Sequence, residues 1–417
     1  MAPADAARTT DGARTRLARR LDRAVDGLDD PRSPLVVVDL DALEANADDL
    51  VRRAAGTPVR VASKSVRVPA LLTRVLARPG FAGVMAYTLR EALWLVREDV
   101  TDDVLLAYPT VDRVALTRLV ADDRARAAVT LVVDDVAHLD LLAAAGAGRE
   151  RPVRVALDVD AAYHPPRLDR VHPVHLGPRR SPLREVADVV ALAREAVGRG
   201  LVVVGAMTYE GQVAGLPDDV PGARLRSAVV RRVKWVSLAQ LATRRAALAE
   251  ALREVVGGPL ELWNAGGSGD VAEAAADPVV TEVAAGSGLL VPALFDHYRS
   301  FDPRPAAFFA VPVVRRPAAG TVTVAGGGFV ASGATGRDRA PLPWAPPGLA
   351  LTATEGAGEV QTPLTGPGAD ALRIGDRVWF RHAKSGELME HTDLVHLVRG
   401  EVVEDSAPSY RGLGLAW

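Results

Sequence analysis

The sequence predicts an α/β protein in which a (β/α)8 TIM barrel is followed by a C-terminal β domain. From about residue 33 to 290, short β-branched apolar runs alternate with helical segments rich in Ala, Leu and Arg. This alternation is typical of parallel strands joined by crossover helices. Near residue 301 the helical pattern stops, and Pro, Gly and short β-like runs replace it, which indicates a separate β domain. The length of 417 residues also favours two domains.

Nine segments of the first region have the composition of strands. They are LVVVDL (35–40), VRVAS (59–63), GVMAY (83–87), VLLAY (104–108), VTLVVD (129–134), VRVALDVD (153–160), LVVVGAMTYE (201–210), LELWNA (260–265) and VTEVAA (280–285). A barrel of this type closes with eight strands, so one of the nine must lie elsewhere. We predict that the first strand belongs to the β domain and that the second, which ends at Lys64, opens the barrel.

The predicted domains follow from these boundaries. Residues 1–32 form a polar, partly helical leader without an assigned role, residues 33–300 the barrel and residues 301–417 the β domain. Inside the β domain, the segment GATGRDRAPLPWAPPG (333–348) is rich enough in Pro and Gly to predict an exposed loop.

The balance of charge argues against nucleic acid and membrane partners. Fifty Lys and Arg residues offset 52 Asp and Glu residues, for a net charge of −2, without a long run of one sign. The sequence has no run of about 18 apolar residues that would span a bilayer, and its start has no apolar core of a signal peptide. We therefore expect a cytoplasmic protein. The absence of cysteine excludes disulfides, thiolate metal sites and a cysteine nucleophile.

Lysine is rare in this chain, which makes each lysine informative. Only Lys64, Lys234 and Lys384 occur among the 50 basic residues. Arginine cannot lose its proton and attack a carbonyl, whereas lysine can. Lys64 follows an apolar strand in VRVASKSVRVP, at the end where barrel enzymes place catalytic groups, and desolvation there would lower its pKa. Lys64 is therefore a good candidate for a Schiff base, with an ordinary lysine at the barrel rim as the alternative, whereas chance survival on a helix is favoured for Lys234.

Two Gly/Ser segments follow the last two predicted barrel strands. WNAGGSGD (263–270) and VTEVAAGSGLL (280–290) place glycine N–H groups and serine hydroxyls where barrel folds hold phosphate. The candidate phosphate-binding residues are Gly266, Gly267, Ser268, Gly286 and Ser287. Ordinary tight turns are the alternative for each segment taken alone. Neither segment has the spacing of a nucleotide-binding P-loop, which argues against ATP or GTP.

The order of several motifs resembles that of a known family. SPLVVVDLDALEAN, VASKSVRVP, HLGPRRSP, AMTYEGQVAG, WNAGGSGD and TEVAAGSG are similar to segments of the alanine racemase-like (fold type III) enzymes that use pyridoxal 5'-phosphate (PLP). Within these enzymes the chain is most similar to the branch of D-threonine aldolase and D-serine dehydratase, over roughly residues 33–300. The resemblance implies a homodimer in which the β domain of one subunit covers the barrel mouth of the other.

The resemblance also implies roles for individual residues. Lys64 would be the Schiff-base lysine, Arg179 would face the ring oxygen of the cofactor, and Tyr209 would lie beside the ring. Arg180 is the alternative to Arg179, because Ser181 stands where the family has a glycine after this arginine. For Tyr209, a buried core tyrosine is the alternative.

The C-terminal segment FRHAKSGELMEH (380–391) departs from the pattern of this branch. The branch has a histidine followed two positions later by Asp or Cys, and the pair binds a divalent metal that engages the substrate's β-hydroxyl. This chain has His382 but Lys384 at the second position, and a protonated amine cannot bind a metal. Either Lys384 supplies the positive charge itself, or His382 still binds a metal with Glu387 or Glu390.

Three more histidines lie in a Pro-rich insertion, where exposure on a loop is expected and a role in a substrate lid is the alternative. They are His164, His172 and His175.

The function implied is that of a PLP-dependent lyase acting on a small D-β-hydroxy amino acid such as D-threonine or D-serine. If His382 takes the proton of the β-hydroxyl, the Cα–Cβ bond breaks to give glycine and an aldehyde. If Lys64 instead removes the α proton and the hydroxyl leaves, the products are a 2-oxo acid and ammonia. A racemase is the first alternative, although it needs a second base and Tyr410 is the one tyrosine after residue 300. A non-enzymatic PLP carrier is the second, and the extra β domain argues against it.

Overall fold

A computed structural model of the chain describes residues 10–165, 174–415 and 417. The chain divides into two compact units. Within the described residues, the unit that we call the β unit takes residues 10–48, 65–71 and 287–415. The barrel unit takes residues 49–64, 72–165, 174–286 and 417 of those described.

The first strand, β1 (Leu35–Asp39), lies outside the barrel. The barrel closes through eight parallel strands, which are β2 (Val59–Ala62), β3 (Phe81–Ala86), β4 (Val104–Leu106), β5 (Val129–Val133), β6 (Arg154–Asp158), β7 (Val202–Thr208), β8 (Leu262–Ala265) and β9 (Glu282–Ala285). The prediction that the second strand opens the barrel is therefore confirmed.

Helices separate the barrel strands along the chain. The helices of the described residues are α1 (Asp11–Val25), α2 (Leu40–Ala54), α3 (Pro69–Leu76), α4 (Leu89–Arg97), α5 (Arg113–Ala121), α6 (Asp123–Ala128), α7 (Val136–Ala144), α8 (Val186–Gly198), α9 (Gly211–Ala214), α10 (Arg224–Val256), α11 (Val271–Ala275) and α12 (Ser287–Leu290). Among them, none combines the length and apolar character that a bilayer crossing requires.

The local sequence explains why strands and helices alternate. The barrel strands are short β-branched runs that are mostly buried on both faces, as parallel strands covered by helices require. Thr88, Asp112, Asp122 and Asp135 lie at the starts of α4 to α7, and their side chains accept hydrogen bonds from first-turn N–H groups. Each capping side chain stabilises the first turn of its helix, so the helix begins shortly after the strand or helix that precedes it. The carboxyl ends of the strands therefore meet at one end of the barrel.

A mostly antiparallel sheet forms the β unit. Its C-terminal strands are β10 (Ala307–Ala318), β11 (Thr321–Ala325), β12 (Leu342–Ala345), β13 (Ala350–Leu351), β14 (Gln361–Thr365), β15 (Arg377–Arg381), β16 (Leu394–Arg399) and β17 (Val402–Pro408). The order is β13-β14-β11-β10-β1-β16-β17, and β15 pairs with both β10 and β12. Strand β1 runs antiparallel to β10 and parallel to β16, so the first strand belongs to this sheet, as predicted.

Helix α1 is part of the core of the β unit. Its residues Leu21 and Val25 are fully buried in a cluster with Phe308 and Trp379, and Asp22 accepts a hydrogen bond of 3.0 Å from Nε1 of Trp379. The polar segment before β1 therefore stabilises the sheet from residue 11 onward, a role that the sequence pattern did not reveal.

The segment 333–348 is not a loop throughout, and the prediction of an exposed loop is wrong for its second half. Residues 342–345 form strand β12, which pairs with β15, and Trp344 is buried in the sheet core. Pro343 is compatible with a strand here because β12 pairs on one side only, so a missing N–H is tolerated.

Candidate active site

Lys64 lies directly after β2, in a short 3-10 turn formed by residues 63–65 at the carboxyl end of the strand. Its Nζ donates a hydrogen bond of 2.5 Å to the hydroxyl oxygen of Tyr108, the residue two positions after β4. The amine also lies 5.2 Å from the centre of the Tyr108 ring. The desolvation expected for Lys64 is not found, because its side chain is exposed. The amine is therefore accessible from solvent at the barrel end where catalytic groups are usual.

Arg180 connects Tyr108 to a second tyrosine. Its guanidinium carbon lies 5.6 Å from the centre of the Tyr108 ring and 4.9 Å from that of Tyr209, distances typical of cation–π contacts. We call Lys64, Tyr108, Arg180 and Tyr209 the Lys64 cluster. The geometry favours Arg180 over Arg179 as the arginine near Lys64, because it is Arg180 that contacts these rings.

Ser181 holds the Arg180 loop against the barrel. Its hydroxyl donates a hydrogen bond of 2.6 Å to the carbonyl oxygen of Asp158, the last residue of β6, and accepts one of 3.0 Å from the amide of Leu183. A glycine at position 181 would have no side chain for these bonds. The departure from the family pattern therefore provides a positioning contact for Arg180.

Asp158, the last residue of β6, is buried and interacts with the charge of Arg180. Burial, with the charge of Asp134, raises the pKa of its carboxyl to about 7, and the opposing effect of Arg180 does not cancel this shift. Asp158 therefore changes charge close to neutral pH, next to the guanidinium that contacts both tyrosines.

A buried arginine anchors the strand end that carries Tyr209. Arg245 is 1% exposed; its Nε donates to Oγ1 of Thr208 at 3.0 Å, and its Nη2 donates to Oε1 of Glu210 at 2.7 Å. Both neighbours of Tyr209 are thus held by one side chain. Burial, followed by the charge of Asp270, raises the pKa of Tyr209 to about 12, so its hydroxyl stays protonated at neutral pH.

Glu210 also links Tyr209 to the Gly/Ser loop after β8. Its Oε2 accepts a hydrogen bond of 3.1 Å from the amide of Gly266, whose φ of +76° favours glycine. A β carbon on Gly267 would lie 2.9 Å from Cβ of Ala214, so this position also requires glycine. The loop is therefore packed closely against the segment that follows Tyr209.

Backbone amides of the two Gly/Ser segments donate hydrogen bonds to side chains of the protein. Gly267 donates to Oδ1 of Asp270 at 2.8 Å, and Gly286 donates to Oγ of Ser268 at 3.2 Å, which ties the loop after β8 to the end of β9. Burial and the charge of Glu210 raise the pKa of Asp270 well above its ordinary value. Its Oδ2 has no hydrogen-bond partner within the described part of the chain.

Ser287, the last of the predicted phosphate-binding residues, belongs to the β unit and begins α12. Its hydroxyl oxygen lies 3.2 Å from that of Ser65, which also belongs to the β unit.

His382 lies in the β unit, directly after β15. Its side chain is buried, and Nε2 lies 3.1 Å from the hydroxyl oxygen of Ser385. Burial, together with the positive charge of Arg381, lowers the pKa of His382 to about 3. The imidazole is therefore neutral at pH 7 and holds a proton only weakly, and its role as a base stays a prediction.

Lys384 is exposed, and its Nζ donates a hydrogen bond of 2.7 Å to the hydroxyl of Ser332. Glu387 accepts a hydrogen bond of 3.0 Å from the amide of Ser332. Although burial raises the pKa of Glu387, the Ser332 hydrogen bonds and the charge of Lys384 keep it below its ordinary value. Glu390 forms an ion pair with Arg67. The two carboxylates that were alternative metal ligands thus already have cationic or hydrogen-bond partners.

Among the described residues, one group of at least three His, Asp or Glu side chains brings its donor atoms close enough for a metal ion, and it lies in the barrel unit. The group consists of Asp160, His164 and His175. His382 does not form such a group with Glu387 or Glu390. His164 and His175 are half-buried rather than exposed, contrary to the loop prediction, and His172 lies outside the described residues.

Lys234 and Tyr410, which were also considered from the sequence, make contacts typical of structural residues. Nζ of Lys234 donates to Oδ2 of Asp218 at 3.2 Å in a buried ion pair. Tyr410 is 1% exposed, and its amide donates to the carbonyl oxygen of Arg67 at 2.9 Å.

Sequence reasoning missed Tyr108, Asp158 and Asp160. Each lies at or within two residues of the carboxyl end of a barrel strand, the position that singled out Lys64. Applying that rule to every predicted strand, rather than to lysine alone, would have found all three.

The family model described as alanine racemase, N-terminal domain, matches residues 38–292. The chain belongs to this family. Alanine racemase-like enzymes use PLP, and related enzymes act on small amino acids. A comparison with curated protein sequences gave no match.

Solved structures share the fold of this family member at low identity. D-threonine aldolase from Filomicrobium marinum has a TM-score of 0.73 and 21% identity, covering 90% of this chain and 94% of that one. D-threo-3-hydroxyaspartate dehydratase from Delftia sp. HT23 has a TM-score of 0.69 and 20% identity, covering 94% and 100%. Alanine racemase from Corynebacterium glutamicum has a TM-score of 0.52 and 18% identity, covering 82% and 88%. The resemblance of fold noted in the sequence is thereby confirmed.

Proposed function

We propose that this chain is a PLP-dependent lyase that acts on a small D-β-hydroxy amino acid and holds its cofactor on Lys64. The observation that carries the proposal is the position of Lys64 at a barrel strand end, with its amine bonded to Tyr108 and Arg180 against the same ring. A primary amine is the group that PLP requires, and lysine is nearly absent elsewhere in the chain.

The donor set of the barrel unit fits PLP. Arg180 offers a positive charge to an anionic ring oxygen. Ser268 offers a hydroxyl to a phosphate from a loop that is already ordered by its own hydrogen bonds. The buried Oδ2 of Asp270, which has no hydrogen-bond partner among the described residues, is a further polar atom in that loop. An amine, a cation and a hydroxyl thus follow β2, β6 and β8 at the carboxyl end of the barrel.

When bound, PLP supplies an electron sink for the bond that breaks at the substrate's α carbon. Lys64 would hold the cofactor through its amine, and the same amine would take or return the proton at the substrate's α carbon. Tyr108 orients the amine of Lys64 through the 2.5 Å hydrogen bond. Tyr209, held by Arg245 on both sides, presents a fixed protonated phenol.

The β unit supplies the groups proposed to act on the β-hydroxyl. Neutral His382 accepts the hydroxyl proton in the aldolase route, and Lys384 provides the positive charge that stabilises the oxygen. We propose a homodimer in which these groups serve the partner's barrel. Sedimentation of the cofactor-loaded protein should give a dimer, and full activity of a monomer at low concentration would contradict it.

A racemase has less support than a lyase. It needs a second base opposite Lys64, and Tyr410, the tyrosine available after residue 300, is fully buried with its backbone bonded to Arg67.

Incubation with D-serine, D-threonine and L-alanine distinguishes these activities. We expect ammonia and a 2-oxo acid, or glycine and an aldehyde, from one of the two D-hydroxy amino acids. The Lys64→Arg variant keeps the positive charge but removes the nucleophilic amine, and it should be inactive. Interconversion of alanine enantiomers without lyase products would contradict the proposal in favour of a racemase.

A further inference from the structure

Asp160, His164 and His175 form a cluster on the segment that leaves β6, apart from the residues assigned above. One donor atom from each lies within 4.8 Å of the donors of the other two. Nε2 of His175 lies 3.3 Å from Oδ1 of Asp160, and Nε2 of His164 lies 3.6 Å from its Oδ2. Asp160 is 8% exposed and both histidines are half-buried, so the cluster is built into the barrel unit.

The backbone holds the two histidines opposite each other. Tyr163 and Leu176, the neighbours of His164 and His175, form an antiparallel bridge with N···O distances of 2.9 and 3.0 Å. The side chain of Gln240 on α10 accepts from the amide of His164 at 3.2 Å and donates to its carbonyl oxygen at 2.9 Å. The two imidazoles are therefore brought together by main-chain contacts that do not depend on a ligand.

Hydrogen bonds also orient the carboxylate. Oδ1 of Asp160 accepts from the amide of Ala162 at 3.0 Å, and Oδ2 accepts from Nη1 of Arg184 at 3.0 Å. Bonds of this kind orient the carboxylates that bind metals in proteins. Arg184 also places a positive charge near the cluster.

The two distances between histidine and Asp160, which run to different carboxylate oxygens, are close to the donor spacing around a tetrahedral ion. Bonds of 2.0–2.1 Å to nitrogen and oxygen place neighbouring donors about 3.3 Å apart and the centres of two bound imidazole rings about 5 Å apart. The donor distances here are 3.3 and 3.6 Å, and the ring centres of His164 and His175 lie 5.1 Å apart in an edge-to-face arrangement. Two imidazoles with one carboxylate select zinc-like ions over Mg²⁺ and Ca²⁺, which prefer sites made of oxygen alone.

We propose that Asp160, His164 and His175 bind one divalent transition-metal ion of the zinc class. Three protein ligands leave the fourth tetrahedral position to water or to an oxygen of an exogenous ligand. This site is separate from the His382 segment, and it does not depend on the proposed lyase activity. Its test measures metal binding, so its failure is distinguishable from failure of that activity.

Titration of the full-length, tag-free protein with Co²⁺ tests the site. We expect one equivalent per chain, with the strong visible absorption of a tetrahedral Co²⁺ ion, and displacement by Zn²⁺. His164→Ala and His175→Ala should each weaken binding by at least about tenfold and remove the absorption. His138→Ala is the matched control, because Nδ1 of His138 lies 3.2 Å from Oδ1 of Asp134 in a pair that belongs to no group of three possible ligands among the described residues; binding should be unchanged.

Two results would overturn the site. One is binding of less than one equivalent by the wild-type protein. The other is unaltered Co²⁺ affinity in the His164→Ala and His175→Ala variants. If an alanine variant loses its cooperative thermal unfolding, Asp160→Asn and His175→Gln, which keep hydrogen-bonding side chains, replace it in the same titration and carry the same expectation.

Discussion

Nζ of Lys64 and the hydroxyl oxygen of Tyr108 lie 2.5 Å apart, although 44 residues separate them in sequence. Each follows a barrel strand, Lys64 after β2 and Tyr108 after β4, so the closed barrel brings them together. The hydrogen bond fixes the direction of a flexible side chain before a ligand arrives. The guanidinium of Arg180 contacts the same Tyr108 ring.

Replacing Arg180 should weaken PLP binding more than replacing Arg179. Arg180→Ala removes the guanidinium that contacts both tyrosine rings, and we expect the dissociation constant of PLP to rise at least about tenfold, as for loss of a charged hydrogen bond. Arg179→Ala is the control and should change it less than about threefold. Fluorescence titration of the two apoproteins measures both values, and a larger effect at Arg179 would contradict the assignment.

The free energy of unfolding should depend on Asp158 at neutral pH. Its folded pKa of about 7 lies above the unfolded value, so the folded state holds the proton more tightly. This penalty is absent at low pH, grows as the pH rises from about 4 to 7 and is complete above 7. Asp158→Asn should therefore be more stable than wild type at pH 8, by at most roughly 4 kcal/mol.

Urea unfolding at pH 5 and pH 8 measures this dependence. The advantage of Asp158→Asn should shrink as the pH falls toward 5. The control is Asp29→Asn, which removes an exposed carboxylate and should show no such trend. An equal difference between Asp158→Asn and wild type at the two pH values would rule out the titration of Asp158.

Breaking the buried ion pair between Arg60 and Glu282 should strongly destabilise the barrel. Nε and Nη2 of Arg60 donate to the two oxygens of Glu282, each at 2.6 Å, and both side chains are less than 10% exposed. Glu282→Gln leaves Arg60 buried with only Asp103 as a charged partner, and we expect a loss of about 3 kcal/mol. Glu98→Gln, in an exposed pair with Arg97, should change the free energy of unfolding by less than about 1 kcal/mol. Equal losses in the two variants, measured by urea unfolding, would contradict this.

Lys384 should matter more to lyase activity than a chelatable metal does. A protonated amine near the β-hydroxyl stabilises negative charge there as a divalent ion would. We expect the kcat of Lys384→Ala to be at least about tenfold below that of the wild type. Exhaustive chelation should change the kcat of the wild-type protein little. Because a chelator would also empty the proposed site at Asp160, His164 and His175, the His175→Ala variant is assayed with and without chelator. If chelation abolishes the activity of His175→Ala and manganese or zinc restores it, a metal rather than Lys384 stabilises the charge at the β-hydroxyl oxygen.

The barrel was predictable because its signals are local and repeated. Eight β-branched runs, each followed by a helix, leave few alternatives to a closed parallel barrel, and the ninth run was correctly placed outside it. Lys64 was also predictable, because its residue type is rare and its position follows a strand. The role of Trp344 was not, since the Pro/Gly pattern around it gives no sign that β15 supplies an antiparallel partner.

Contacts between distant segments account for what the sequence did not reveal about the site. Tyr108 and Arg180 approach Lys64 only through closure of the barrel, and the choice between Arg179 and Arg180 depends on the tie between Ser181 and Asp158. The meeting of His164 and His175 depends on the bridge between Tyr163 and Leu176, which no spacing rule signals. The roles of His382 and Lys384 stay predictions.

The central claim is that the Lys64 amine holds PLP, and borohydride reduction followed by peptide mass mapping tests it most directly. Reduction turns the link between lysine and cofactor into a stable secondary amine, and the chain has only three lysines to distinguish. We predict a phosphopyridoxyl label on the peptide that contains Lys64, none on Lys234 or Lys384, and no label in Lys64→Ala. A stoichiometric label on Lys234 or Lys384, or an undiminished visible absorption of PLP in Lys64→Ala, would contradict the account.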